Sequence, residues 1–128
     1  MLTKLRENIY VSDRETTIDQ LKEAGVTAIL VTDYQMVAFP ITPDFINFEV
    51  DLRLDRVNKP HVKDIACHIP KYMAQNGETI AIIDATGLKQ AVYVAARAIC
   101  ELENRSIYEV FVELKELLPG FDINGAYL

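Results

Sequence analysis

The chain has 128 residues, 50% of them hydrophobic and 25% charged, enough apolar material for one core and a single globular domain over 1–128. Its formal net charge of −6 argues against non-specific binding to nucleic acid or to anionic lipid, since both rely on a basic surface. No apolar run approaches the roughly 20 residues that span a bilayer, and the opening MLTKLRENIYVSDRE has no apolar signal core, so a cytoplasmic protein is expected.

In chain order, strand and helix signals alternate without a linker or repeat, which predicts an α/β fold. Asn8 to Ser12 reads as the first strand. Thr16 or Thr17 can cap a helix running through Ile18, Leu21 and Ala24 to a stop at Gly25. Val26 to Thr32 is a β-branched run without a charged residue, as a strand buried on both faces requires. After a loop with Pro40 and Pro43, Phe45 to Leu52 carries Phe, Ile and Val at strand spacing. Pro60 opens a helix whose expected apolar positions are Ile65, Ile69, Tyr72 and Met73, with Asn76-Gly77 as its stop.

Glu78 to Ile83 is the next strand, and the helix Leu88 to Leu102 that follows is apolar over most of its circumference, as a central buried helix would be. Ser106-Ile107-Tyr108-Glu109 has the spacing of a capping box for a last helix with Val110, Phe111, Leu114, Leu117 and Leu118 inward, ended by Pro119-Gly120. Glu109, Glu113 and Glu116 fall on one side of it, which suits a protein partner and suits a solvated face equally.

Neither cysteine belongs to a CxxC pair: Cys67 and Cys100 lie in helices with apolar neighbours and read as buried, inert thiols. His61 and His68 are seven residues apart, longer than the i, i+4 spacing that lets two imidazoles meet one zinc, so no metal site and no cofactor is expected.

The most informative segment is Thr79 to Val92, TIAIIDATGLKQAV, a buried strand passing through a glycine loop into a helix. Converging loop N–H groups and the unpaired N–H groups of the first helical turn favour an anion there. Here the loop begins with an acid, Asp84, where the strand ends; Gly87 allows the turn, and Lys89 and Gln90 stand at the helix entrance.

This segment resembles the signature loop of the cysteine-dependent protein phosphatases, particularly the dual-specificity branch, whose pattern is H-C-x-x-G-x-x-R-[ST]. Laid onto it, the chain reads Ile83-Asp84-Ala85-Thr86-Gly87-Leu88-Lys89-Gln90-Ala91. The glycine matches, whereas the nucleophile position holds Asp84, the arginine position Gln90 and the hydroxyl position Ala91. The opening IYVSDRETTIDQLKEAGVTAILV is similar to the family's entry strand, helix and second strand, and Ser106-Ile107-Tyr108-Glu109-Val110, Pro119 and Asn124 are similar to its close. The resemblance implies a protein tyrosine phosphatase-like fold over nearly the whole chain, with a central, mostly parallel sheet flanked by helices. It also puts Asp55 at the position of the family's general acid, which protonates the leaving oxygen while the thiolate attacks phosphorus and the arginine holds the equatorial oxygens.

What the degenerate loop does has two readings. In the first, the chain is a catalytically inactive phosphatase relative, a pseudophosphatase that binds a protein or phosphoprotein partner. Asp84 is then an internal anion that accepts hydrogen bonds from backbone N–H groups of Thr86 to Gln90 and repels external phosphate; a plain helix cap has the same geometry. In the second, Asp84 and Asp55 carry an altered hydrolytic chemistry, either with magnesium on a phosphoester or as paired carboxylates. Lys89 either supplies some of the lost positive charge or faces solvent. Gln90 either donates to a ligand or to Asp84, or is an ordinary first-turn residue. Thr86, Tyr34, Tyr93 and Tyr127 are candidate ligand contacts among which the sequence does not choose.

Overall fold

The computed structural model describes residues 1–32, 42–50, 52, 59–85 and 88–121, with the side chains of 59–62 left aside. Expectations attached to Tyr34, Pro40, Asp55, Thr86, Gly87, Asn124 and Tyr127, and to the His61 side chain, fall outside these residues. The described elements are β1 Leu2–Arg6, β2 Ile9–Ser12, α1 Ile18–Glu23, β3 Ala28–Val31, β4 Ile46–Glu49, α2 Lys59–Gln75, β5 Ile80–Ile83, α3 Gln90–Glu103 and α4 Ile107–Leu117.

The five strands form one sheet in the order β1-β2-β5-β3-β4. Among the described strands the β1–β2 pair alone is antiparallel, so β2, β5, β3 and β4 all point the same way. The sequence explains the centre: β3 (AILV) and β5 (IAII) have no polar residue and are buried at every position, as strands covered on both faces must be. Their side chains alternate between two cores. Ala28, Leu30, Ile80 and Ile82, with Ile9 and Val11 of β2, face the cluster that takes in α2, α3 and α4. Ile29, Val31, Ala81 and Ile83 face the smaller cluster built on Leu21 of α1, Val26 and Phe45. Each fully buried Ile or Leu contributes about 1.5–3 kcal/mol, so the sheet centre is the main stabilising element.

The helices begin where the sequence places their caps. Thr17 caps α1 with a complete capping box to Gln20, and Gly25 (φ +83°) follows its end. Ser106 accepts from the Glu109 N–H at the start of α4, the first half of the expected box. In α3, Ala91, Val92, Val94, Ala95, Ala96, Ala98 and Ile99 are all buried, as expected of a central helix. Leu102, expected inside with them, lies in the last turn of the helix and is 36% exposed.

Three expectations are corrected. First, β1 was not anticipated: LTKLR has a single buried side chain, Leu5, and it is a strand because it closes a hairpin on β2. Second, the buried stripe of α2 is Ala66, Cys67, Pro70 and Met73, while Ile65 and Tyr72 are 48% and 55% exposed. The small residues at 66 and 67 let α2 approach the Ala- and Val-rich wall of α3, and that close approach turns the larger side chains outward. Ion pairs from Asp64 to Arg97 (3.0 Å) and from Lys71 to Glu101 (3.5 Å) run alongside this contact. Third, Leu117 is half exposed, and Glu113 is half-buried between Arg6 and Arg105 and so does not share the solvated side of Glu109 and Glu116. His68 is exposed. Among the described residues, no helix is long and apolar enough to cross a membrane.

Candidate functional site

The site lies outside the carboxyl ends of the parallel strands, where open α/β sheets hold their ligands. Four polar side chains among the described residues are buried, and three of them, Ser12, Thr32 and Asp84, end or directly follow β2, β3 and β5. They tie the strand ends together. The Asp84 N–H donates to the Ser12 carbonyl at 3.2 Å, and Thr32 donates to the Ile83 carbonyl twice, from its N–H at 2.9 Å and its hydroxyl at 3.2 Å. Sequence reasoning did not single out Ser12 or Thr32; the signal is a hydroxyl residue terminating an otherwise apolar strand, IYVS and AILVT.

Asp84 is 1% exposed. Its Oδ2 accepts the Lys89 N–H at 3.2 Å and the Ala91 N–H at 2.9 Å, so one carboxylate oxygen gathers two backbone donors at the mouth of α3. The expected donors ran from Thr86 to Gln90; Lys89 falls in that range, and Ala91 lies one residue further along the helix. The reason is visible at the helix start. Lys89, the N-cap residue, has φ −123° and ψ −103° and makes no side-chain cap, so the first-turn N–H groups take their acceptor from the strand end, five and seven residues upstream. A carboxylate in this position also faces the positive end of the α3 dipole.

The described loop positions on either side differ in burial. Ala85 is half-buried against the α1-side core, Leu88 is half-buried against the larger core, the Lys89 side chain is exposed, and Gln90 is half-buried. Tyr93, one turn into α3, packs its ring 6.4 Å from Phe111 and lies under the cations of Lys63 (5.3 Å) and Arg97 (6.0 Å). Phe111 in turn meets Phe121 edge-on at 5.6 Å. Tyr93 therefore joins α2, α3 and α4.

Neither cysteine reaches the loop. Cys67 sits in α2 and Cys100 near the far end of α3. Burial pushes the Cys67 thiol up to about 12 and raises that of Cys100, so both are protonated at neutral pH and poor nucleophiles. Among the described residues no three His, Cys, Asp or Glu side chains gather as a metal would need.

No protein-family model matches the sequence, and no curated protein is similar enough in sequence to be paired with it. Solved structures are similar in fold. Human DUSP28 superposes with a TM-score of 0.83 at 16% identity, over 98% of this chain and 86% of its own. A mouse putative dual specificity phosphatase, solved with zinc tungstate, gives 0.79 at 16% identity over 96% and 79%. The human tyrosine phosphatase-like serine/threonine/tyrosine-interacting protein gives 0.78 at 12% identity over 98% and 91%. The chain thus has the dual-specificity phosphatase fold, with Asp84 at the head of the loop that joins its central strand to its buried helix.

Proposed function

We propose that this chain is a pseudophosphatase: a dual-specificity phosphatase-like domain without phosphatase chemistry, which serves as a binding module for a protein or phosphoprotein partner. The observation that carries the reading is the Asp84 carboxylate, buried at the loop and accepting the Lys89 and Ala91 N–H groups. Those are donors of the kind that would otherwise face a phosphate. A phosphate arriving there meets a fixed negative charge, and near a protein surface two like unit charges at ~4 Å repel by about 4 kcal/mol.

The residue chemistry supports the same conclusion. Thiolate attack on phosphorus needs a sulfur at the loop, and the chain's two cysteines lie elsewhere. Gripping the equatorial oxygens needs a planar, charged fork, and the neutral amide of Gln90 offers two donors with no charge. The fold is compatible with a partner-holding role, since one of its human neighbours is named as both phosphatase-like and interacting.

The test is turnover of a generic aryl phosphate, with and without magnesium, by the wild type and by the Asp84→Cys/Gln90→Arg double variant. No wild-type turnover, with activity gained by the double variant, is the expected result. Magnesium-dependent wild-type turnover that Asp84→Ala abolishes would replace this reading with an aspartate-based hydrolase that uses Asp84 as nucleophile.

A further inference from the structure

We propose that β1 is a releasable strap, fastened to the helical layer by an ionic clasp centred on Arg6 and let go by acid while the rest of the domain stays folded. The inference does not depend on what the signature loop does.

The clasp joins three parts of the chain far apart in sequence. Arg6, the last residue of β1, donates to both oxygens of Glu103 at the end of α3, from Nε at 2.6 Å and Nη2 at 3.1 Å. The same guanidinium reaches both oxygens of Glu113 in α4, from Nη1 at 2.6 Å and Nη2 at 3.1 Å. Arg105, in the turn between the two helices, donates to the same glutamates at 3.1 and 2.7 Å and lies 3.7 Å from Glu109. Two carboxylates therefore stand between two guanidiniums, an arrangement of bidentate, charge-assisted bonds.

Against the α3 and α4 layer little else holds β1: Leu2 packs on the opposite, α1-side core, and the ammonium of Met1 pairs with Asp13 at 2.9 Å. β1 is an edge strand, it fully buries only Leu5, and its ladder to β2 changes register between Lys4 and Arg6, next to the clasp. Lys4 pairs with Glu7 of the adjoining turn. Segments with few buried side chains open at lower free energy than the core.

Acid acts on the clasp in one direction. Hydrogen bonds from Arg6, then from Arg105, hold the Glu113 carboxyl below the ordinary glutamate range, and those from Arg6 are the largest cause of the same shift at Glu103. A carboxyl held low in the folded state contributes stability that is complete above its unfolded value, about 4.3, and is lost progressively as pH falls from there through the lower folded value. Among the described residues, the charged groups that meet the two carboxyls are Arg6 from β1 and Arg105 from the turn, and Glu109 of α4 meets Arg105 in turn. Once both carboxyls are protonated, Arg6 and Arg105 are left as like charges across the gap, so the clasp repels where it attracted.

Hydrogen exchange of the whole chain, corrected for intrinsic rates, tests this at pH ~6.5 and ~3.5, either side of the glutamate range. The expected result is a roughly tenfold or greater loss of protection in Leu2–Arg6 at the lower pH, with Ile80–Ile83 of β5 still protected. Arg6→Ala should show the same loss already at the higher pH. Glu103→Gln/Glu113→Gln should make exchange of β1 fast and insensitive to this pH change. Equal protection of β1 at both pH values, or loss in β1 and β5 together, would overturn the proposal.

Discussion

At the scale of single residues, Asp84 decides how the loop is read. It directly follows a strand and accepts two N–H groups at the start of a helix with one side chain. Truncation in Asp84→Ala leaves the Lys89 and Ala91 N–H groups without this acceptor, so urea unfolding should show a loss of about 1–2 kcal/mol. Asp84→Asn keeps an amide oxygen that can accept and loses only the charge–dipole part, about 0.3–1 kcal/mol. An Asp84→Ala variant as stable as the wild type would mean that the hydrogen bonds contribute nothing. The acid at the strand end was legible because an apolar run, an acid and a glycine before a helical pattern leave little choice of geometry. The Ala91 donor was not, because it depends on the backbone at Lys89, whose dihedral angles no residue pattern announces. Ser12 and Thr32 were passed over because a hydroxyl at the end of a strand resembles an ordinary turn residue until the neighbouring strand is known.

Among the elements, the sequence was clearest where one residue type dominated. The β-branched runs of β3 and β5 fix buried parallel strands, and the alanines and valines of α3 fix a helix covered on most sides. Helix α2 was harder, because Ile65 and Tyr72 outweigh Ala66 and Cys67 in any apolar count while packing distance selects the small ones. Mutation can check that orientation directly. Met73→Ala, on the buried stripe, should cost about 2–5 kcal/mol, whereas Ile65→Ala, on the outer side, should stay within about 0.5 kcal/mol. Comparable losses at both positions would return Ile65 to the core. Strand β1 was illegible for a different reason: only Leu5 is fully buried, and its pairing depends on a hairpin partner and on ion pairs to residues about a hundred positions away.

For the whole molecule, the order of strands and helices pointed to the phosphatase-like architecture, and the likeness to solved structures bears the fold out at identities of 12–16%. A fold does not by itself fix its chemistry, and the pseudophosphatase reading proposed above keeps this scaffold without its original reagents. The central claim is that an internal carboxylate holds the place of an external oxyanion. Soaking wild-type crystals in tungstate, a tetrahedral oxyanion that scatters strongly, tests it most directly, with Asp84→Ala crystals soaked in parallel. The account predicts a wild-type loop free of tungstate, with the Asp84 carboxylate on the Lys89 and Ala91 N–H groups. Tungstate seated in the wild-type loop, with Asp84 swung aside, would contradict it.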